Sequence, residues 1–208
     1  AGALGLHAAD PMLTSYSASQ CEGSLTPYPT DINPAVYPDS LTPVFINHVG
    51  RHGARYPASA VNCMTMRRAL ERADSAGTIT PAGRKLRQLN EHIITLSTDR
   101  WGSLDSLGMA EQRAIATRMF YNFGEAFAGG TVNAISSYSP RAMMSMYSFT
   151  HQLDRMDNRI NFVTTTGRMN SPIMRFFDLD TEFVEYKKQG PWLEKYNEYV
   201  EQYCPTSA

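Results

Sequence analysis

The sequence predicts an α/β fold, on the strength of three observations. Short apolar runs bounded by Pro and Gly alternate with segments of helical periodicity. The chain is 42% apolar and 19% charged, the composition of a globular protein with a core rather than of a disordered or fibrous one. Its 208 residues are enough for one sizeable core, or for one domain with part of a second.

Each element carries its own signal. Residues 1–40 hold Pro11, Pro27, Pro29, Pro34 and Pro38 among Ser, Thr and Asp, which predicts an extended N-terminal arm without a core. Val44-Phe45-Ile46 follows Pro43 and precedes Gly50, and predicts a short buried strand. Residues 59–76 have a helical pattern. Thr80-Pro81 reads as an N-cap with proline at the first helical position. Leu86, Leu89, Ile93 and Leu96 then place one apolar stripe on the helix that follows.

A second long helix is expected over residues 108–127. Ile115, Met119, Phe123 and Phe127 share one of its faces, and Gly129-Gly130 ends it. Residues 132–138 predict a strand. Ser139-Pro140 then opens another helix, with Ser139 as cap and Arg141 in the first turn. Residues 160–166 predict a third strand. Residues 172–208, rich in aromatic and charged side chains, predict a separate helical region broken at Gly190-Pro191. Strands alternating with helices imply a sheet with helical cover.

The formal net charge of -1 argues against a general nucleic-acid binder, which needs a basic excess on one face. No run of 18 apolar residues exists, so no membrane span is expected. Residues 1–13 lack the basic head and long apolar stretch of an intact signal peptide. The small, neutral start Ala1-Gly2-Ala3 fits a chain from which one has been removed. Cys21, Cys63 and Cys204 are too few and too far apart for a disulfide framework or a CxxC motif. They read as buried or free thiols, with a single Cys21–Cys63 bridge as the alternative in an oxidising compartment.

The chemistry concentrates in Arg51-His52-Gly53-Ala54-Arg55-Tyr56-Pro57. A phosphomonoester site needs a nucleophile, cationic donors for the phosphoryl oxygens and an acid for the leaving alcohol. Arg51 and Arg55 bracket His52, and a guanidinium's planar fork donates bidentate hydrogen bonds while staying charged. Gly53 would let the backbone approach a ligand closely, and Pro57 would stiffen the exit. The loop follows the predicted strand over 44–46, and ligands of open α/β sheets sit beyond the carboxyl ends of strands. Arg141 repeats the theme at the start of a helix, where backbone N–H groups and the dipole favour an anion.

The heptapeptide resembles the RHGxRxP signature of the histidine acid phosphatases, the branch of the histidine phosphatases that contains phytases. Its wording is closest to the multiple inositol polyphosphate phosphatases. SSYSPRAMMSMYSFTHQL, residues 136–153, is similar to their second block, in which the arginine binds phosphate. Residues 102–127 resemble the helix between the two blocks, and the likeness extends over about residues 41–200.

The resemblance implies a three-layer phosphatase core. Residues 1–40 would form an arm, 41–170 the N-terminal part of that core, and 171–208 the start of a helical cap. It implies His52 as the nucleophile that becomes phosphohistidine, with Arg51, Arg55 and Arg141 holding the phosphoryl oxygens. It implies no metal and no cofactor. Expected substrates are inositol polyphosphates such as phytate, or alternatively sugar phosphates and phosphoglycerates. The family's habit is secreted or periplasmic.

One part of the pattern is missing. The family's proton donor lies in a C-terminal His-Asp or His-Ala-Glu. None of His7, His48, His52, His92 and His151 begins such a motif. The expectation is therefore an N-terminal portion with an incomplete core, inactive alone, whose partner would be the missing C-terminal half. A catalytically dead phospho-ligand-binding fragment is the alternative from another class.

Other residues read blandly. His48 is expected to be structural, or else a support for the site, and His92 and His151 structural. Met143, Met144 and Met146 read as core filler, and Lys187-Lys188 as a solvated pair. Arg67, Arg68, Arg84, Lys85 and Arg87 are candidates for the extra basic residues a polyphosphate would need.

Overall fold

The computed structural model describes residues 17, 20, 22, 23, 26–29, 31, 34–38 and 40–203. Helices predominate beside one small parallel sheet, consistent with the α/β class. The chain divides into two compact units: Tyr28–Arg168, and a second that contains the C-terminal helices from Met169 on.

Within the first unit, helices α1 (Val61–Ser75) and α2 (Pro81–Ser97) pack as a hairpin. The Thr80 hydroxyl accepts a hydrogen bond from the Gly83 N–H at 3.1 Å, the cap predicted from Thr80-Pro81. The surface α2 turns toward α1 is polar. Asn90 donates to the Cys63 carbonyl at 3.0 Å, Glu91 pairs with Arg67, and Arg87 pairs with Asp74. Asn90, Ile94 and Ser97 are the buried positions of α2. The predicted stripe of Leu86, Leu89, Ile93 and Leu96 lies one step around the helix and is exposed. Periodicity found the stripe, but the pairing of the two helices is set by charge and amide contacts.

The core sits where α3 (Ser106–Phe123) and α4 (Pro140–Met156) meet the sheet. Asp105 caps α3, its carboxylate accepting from the Gly108 N–H at 2.7 Å. A 3₁₀ turn, Gly124–Phe127, continues the chain to Gly129, whose φ of 64° reverses it. Strands β1 (Thr131–Ile135) and β2 (Asn161–Thr165) pair in parallel, from Thr131↔Asn161 to Ile135↔Thr165, with α4 as the crossover between them. Ala116 and Leu153, both 0% exposed, pack in one cluster with Phe127 and Ile160. Ile46, Met119, Phe120, Val132, Phe149 and Phe162 close around it.

Two expectations are corrected here. Val44-Phe45-Ile46 forms no strand: Val44 is 87% and Phe45 80% exposed. An extended segment becomes a strand only when a neighbour takes its N–H and C=O groups. Among the described residues no backbone-to-backbone hydrogen bond involves residues 44–50. The sheet accordingly has two strands rather than three, and Ile46 and the His48 ring, which stacks on Phe149, tie this segment to the core. Ser139 occupies the N-cap position of α4, but its side chain makes no capping bond. Its carbonyl instead accepts from the N–H groups of Ala142 and Met143 at 2.9 and 3.0 Å.

The second unit holds the short helices α5 (Ser171–Met174) and α6 (Phe176–Leu179), followed by α7 (Thr181–Gln189) and α8 (Trp192–Tyr203). The predicted break falls at Gly190, which caps α7, and the Trp192 indole N–H donates to the Tyr186 carbonyl at 2.8 Å across it. No helix among the described residues is long and apolar enough to cross a membrane.

Candidate active site

With no strand beneath it, the RHGARYP loop takes its shape from two helices and a return strip. Gln112 of α3 donates to the Arg51 carbonyl at 3.1 Å. Its neighbour Glu111, 7% exposed, accepts from the Ala54 N–H at 2.8 Å. Consecutive residues of one helix thus hold the chain on either side of His52-Gly53. From α4, the buried Ser145 hydroxyl accepts from the Gly53 N–H at 3.1 Å. The same hydroxyl donates to the Arg141 carbonyl at 2.8 Å, one helical turn back. The loop and the first turn of α4 are therefore joined through one oxygen.

The loop's exit runs antiparallel to residues 102–105. The Asp105 N–H donates to the Ala54 carbonyl at 3.1 Å, Tyr56 to Ser103 at 3.0 Å, and Gly102 to Pro57 at 2.7 Å. Arg55 and Leu104 form the bridge between the two segments. This pairing fixes the exit, a job the sequence reading gave to Pro57 alone.

Gly53 has a further reason to be glycine. A β-carbon there would lie 2.6 Å from the Gly108 Cα, and one on Gly108 would lie 2.6 Å from the Ala54 nitrogen. Two glycines let the loop lie directly on the first turn of α3. The close approach that the structure shows is to this helix.

His52 is half-buried. Its Nδ1 lies 2.8 Å from the Gly53 carbonyl oxygen. A carbonyl only accepts, so Nδ1 carries the proton, and in the neutral ring Nε2 is left with its lone pair. Burial holds the ring's pKa below the ordinary 6.5, and the positive fields of Arg141, Arg51 and Arg55 push the same way. The Gly53 hydrogen bond opposes them by favouring the charged ring. The structure thus brings all four sequence-predicted residues into one electrostatic neighbourhood: an unprotonated nitrogen amid three cations. Such an arrangement suits a dianion and a nucleophilic attack upon it. Arg51 is exposed; Arg55 donates to the Tyr56 carbonyl at 3.0 Å.

Sequence reasoning missed Glu111, Gln112, Ser145 and Gly108. The available signal was polarity and a glycine at the helical spacing of Gly108, Glu111, Gln112 and Ala116 on α3, continued by Leu104 just before the helix. All five are buried.

Other candidates fall elsewhere. The His48 ring stacks on Phe149 at 5.4 Å between centroids, a structural contact. Of the extra basic candidates, Arg67 and Arg87 are in ion pairs, while Arg84 donates to the Ile79 carbonyl at 3.1 Å and Arg68 to the Thr65 hydroxyl at 3.3 Å. Met144 is exposed, so the methionine cluster is not all core filler. Cys63 is a free, half-buried thiol, whereas Cys21 and Cys204 lie outside the described residues.

The chain matches no protein-family model and no curated protein sequence.

Proposed function

We propose that this chain carries the phosphoryl-transfer machinery of a phosphomonoester hydrolase of the histidine acid phosphatase kind. Its preferred substrates are inositol polyphosphates, its core is of the three-layer histidine phosphatase type, and residues 171–208 begin a helical cap. The observation that carries the proposal is the state of His52. Its Nδ1 is committed to the Gly53 carbonyl, and its ring lies in the field of Arg51, Arg55 and Arg141.

In the first step Nε2 attacks phosphorus, a P–N bond forms, and the P–O bond to the alcohol breaks. The alcohol leaves as its oxyanion and takes a proton from solvent water. Water then attacks phosphorus, the P–N bond breaks, and inorganic phosphate leaves with His52 restored. The three guanidiniums neutralise the phosphoryl oxygens, whose charge is redistributed in transit. The backbone bonds from Gln112, Ser145 and Glu111 hold the nucleophile in place before the substrate arrives.

A second reading, a phospho-ligand binder without turnover, is favoured by one observation. Glu111 is the buried carboxylate that touches the loop, and its two oxygens are occupied by the N–H groups of Ala54 and Tyr28. It is not placed to protonate a leaving alcohol.

The test is release of inorganic phosphate from phytate by the full-length protein, with EDTA present. The proposal expects release that continues under chelation and disappears in His52→Ala. Loss of activity on adding EDTA, or full activity in His52→Ala, would count against it.

A further inference from the structure

We infer that Arg168 forms a second anion position beside the His52 site, one that holds a non-reacting phosphate of a multiply phosphorylated ligand. The inference rests on the phosphatase proposal above and deepens it.

Topology supplies the first observation. β1 and β2 run parallel and in register to Ile135↔Thr165, so both release the chain at one edge. From β1 the chain leads to Arg141, and from β2 to Arg168. The Ser136 N–H donates to the Thr165 carbonyl at 3.0 Å, which keeps the two exits together beyond the last strand pair. The carboxyl edge of a parallel sheet is where ligands of such folds bind.

Contact supplies the second. The Arg168 guanidinium lies 4.6 Å from the centroid of the Tyr138 ring. Tyr138 stands in the segment that joins β1 to Arg141. Cation–π attraction holds a guanidinium over a ring without using its N–H groups as donors. Among the described residues Arg168 has no carboxylate partner and makes no side-chain hydrogen bond. Arg67, Arg87, Arg159 and Arg175 each have an acidic partner. Arg168 thus offers an exposed guanidinium without an acidic partner among the described residues.

Charge supplies the third. The cations whose fields reach the His52 ring are Arg141, Arg51 and Arg55. Arg168 leaves from β2 and not from the loop or the helix that carries those three, and the inference assigns it to a different phosphate of the ligand from the one at His52. This separation predicts discrimination by number of phosphates. Arg168 contributes nothing to a lone phosphate and contributes to phytate.

The experiment is titration calorimetry with two probes, orthophosphate and phytate, in a His52→Ala background that prevents turnover. Arg168→Gln removes the charge and leaves the backbone alone, and circular dichroism checks that the fold is intact. Phytate affinity is expected to fall about tenfold, the effect of losing one charge-assisted hydrogen-bonding group. Orthophosphate affinity is expected to stay within about twofold. Arg168→Lys, which keeps charge but not the planar fork, should fall between. Equal loss for both probes, or no loss for phytate, would overturn the inference. Failure of the unsubstituted background to bind either probe, or binding that survives Arg141→Gln unchanged, would instead remove the phosphatase proposal, and the inference with it.

Discussion

Gly53 and Gly108 meet backbone to backbone, so that a β-carbon on the first would lie 2.6 Å from the Cα of the second. The loop that carries His52 rests on α3 through this contact. In an exposed helix interior, Gly→Ala normally stabilises by about 1 kcal/mol. At Gly108 the sign should invert, because the added methyl meets the Ala54 nitrogen and the backbone must shift, at a cost of about 1–3 kcal/mol. Urea unfolding of Gly108→Ala at an unchanged slope measures it. A stabilised variant would show that the loop does not lie on α3.

The charges around His52 make a pH prediction. Arg141 lowers the pKa of His52, so Arg141→Gln should raise its NMR titration midpoint toward the ordinary 6.5. An unmoved midpoint would show that Arg141 is not near the ring. The linkage sign follows from the depressed value. Between the folded and the unfolded pKa, the unfolded chain binds more protons. The stability His52 contributes is then fully present above about 6.5, the unfolded value, and is lost as pH falls through the lower folded value.

Ser145 joins the loop to α4 by accepting from Gly53 and donating to Arg141. Ser145→Ala leaves the buried Gly53 N–H without that partner and should cost about 1–3 kcal/mol. On the proposed function, orthophosphate binding should weaken with it, because the His52 loop and Arg141 lose their common oxygen. Ser145→Thr keeps the hydroxyl and should recover part of both losses. If Ser145→Ala matched the parent in denaturant midpoint and in phosphate affinity, the relay would be without consequence.

Much of the site was legible because its chemistry is local in sequence. Arg51, His52 and Arg55 fall within five residues, and Arg141 announces itself after Ser139-Pro140. The cap at Thr80 and the breaker at Gly190 were also readable, since each acts on its own neighbours, but the helix expected to run to Phe127 ends at Phe123, where a 3₁₀ turn takes over. What could not be read is tertiary. Glu111 and Gln112 look like ordinary helix residues until the loop's unpaired Ala54 N–H and Arg51 C=O are seen against them. The packing contact that needs the bare Cα of Gly53 was not readable, because its partner lies 55 residues away, at Gly108. The run at 44–46 has the pattern of a strand, but pattern specifies an extended backbone and not the neighbour that would pair with it. The stripe on α2 was found and its direction was not, because Arg67–Glu91 and Asn90–Cys63 decide which side faces α1.

The most direct test asks which atom takes the phosphoryl group. 2,4-Dinitrophenyl phosphate suits it, because dinitrophenolate leaves without needing a proton and the first step is then independent of any acid. Rapid alkaline quench should trap one phosphoryl group per chain, alkali-stable and acid-labile, on Nε2 of His52. The same quench of His52→Ala should trap none. A phosphoryl group on another residue, or one that persists in His52→Ala, would contradict the assignment of His52 as the nucleophile.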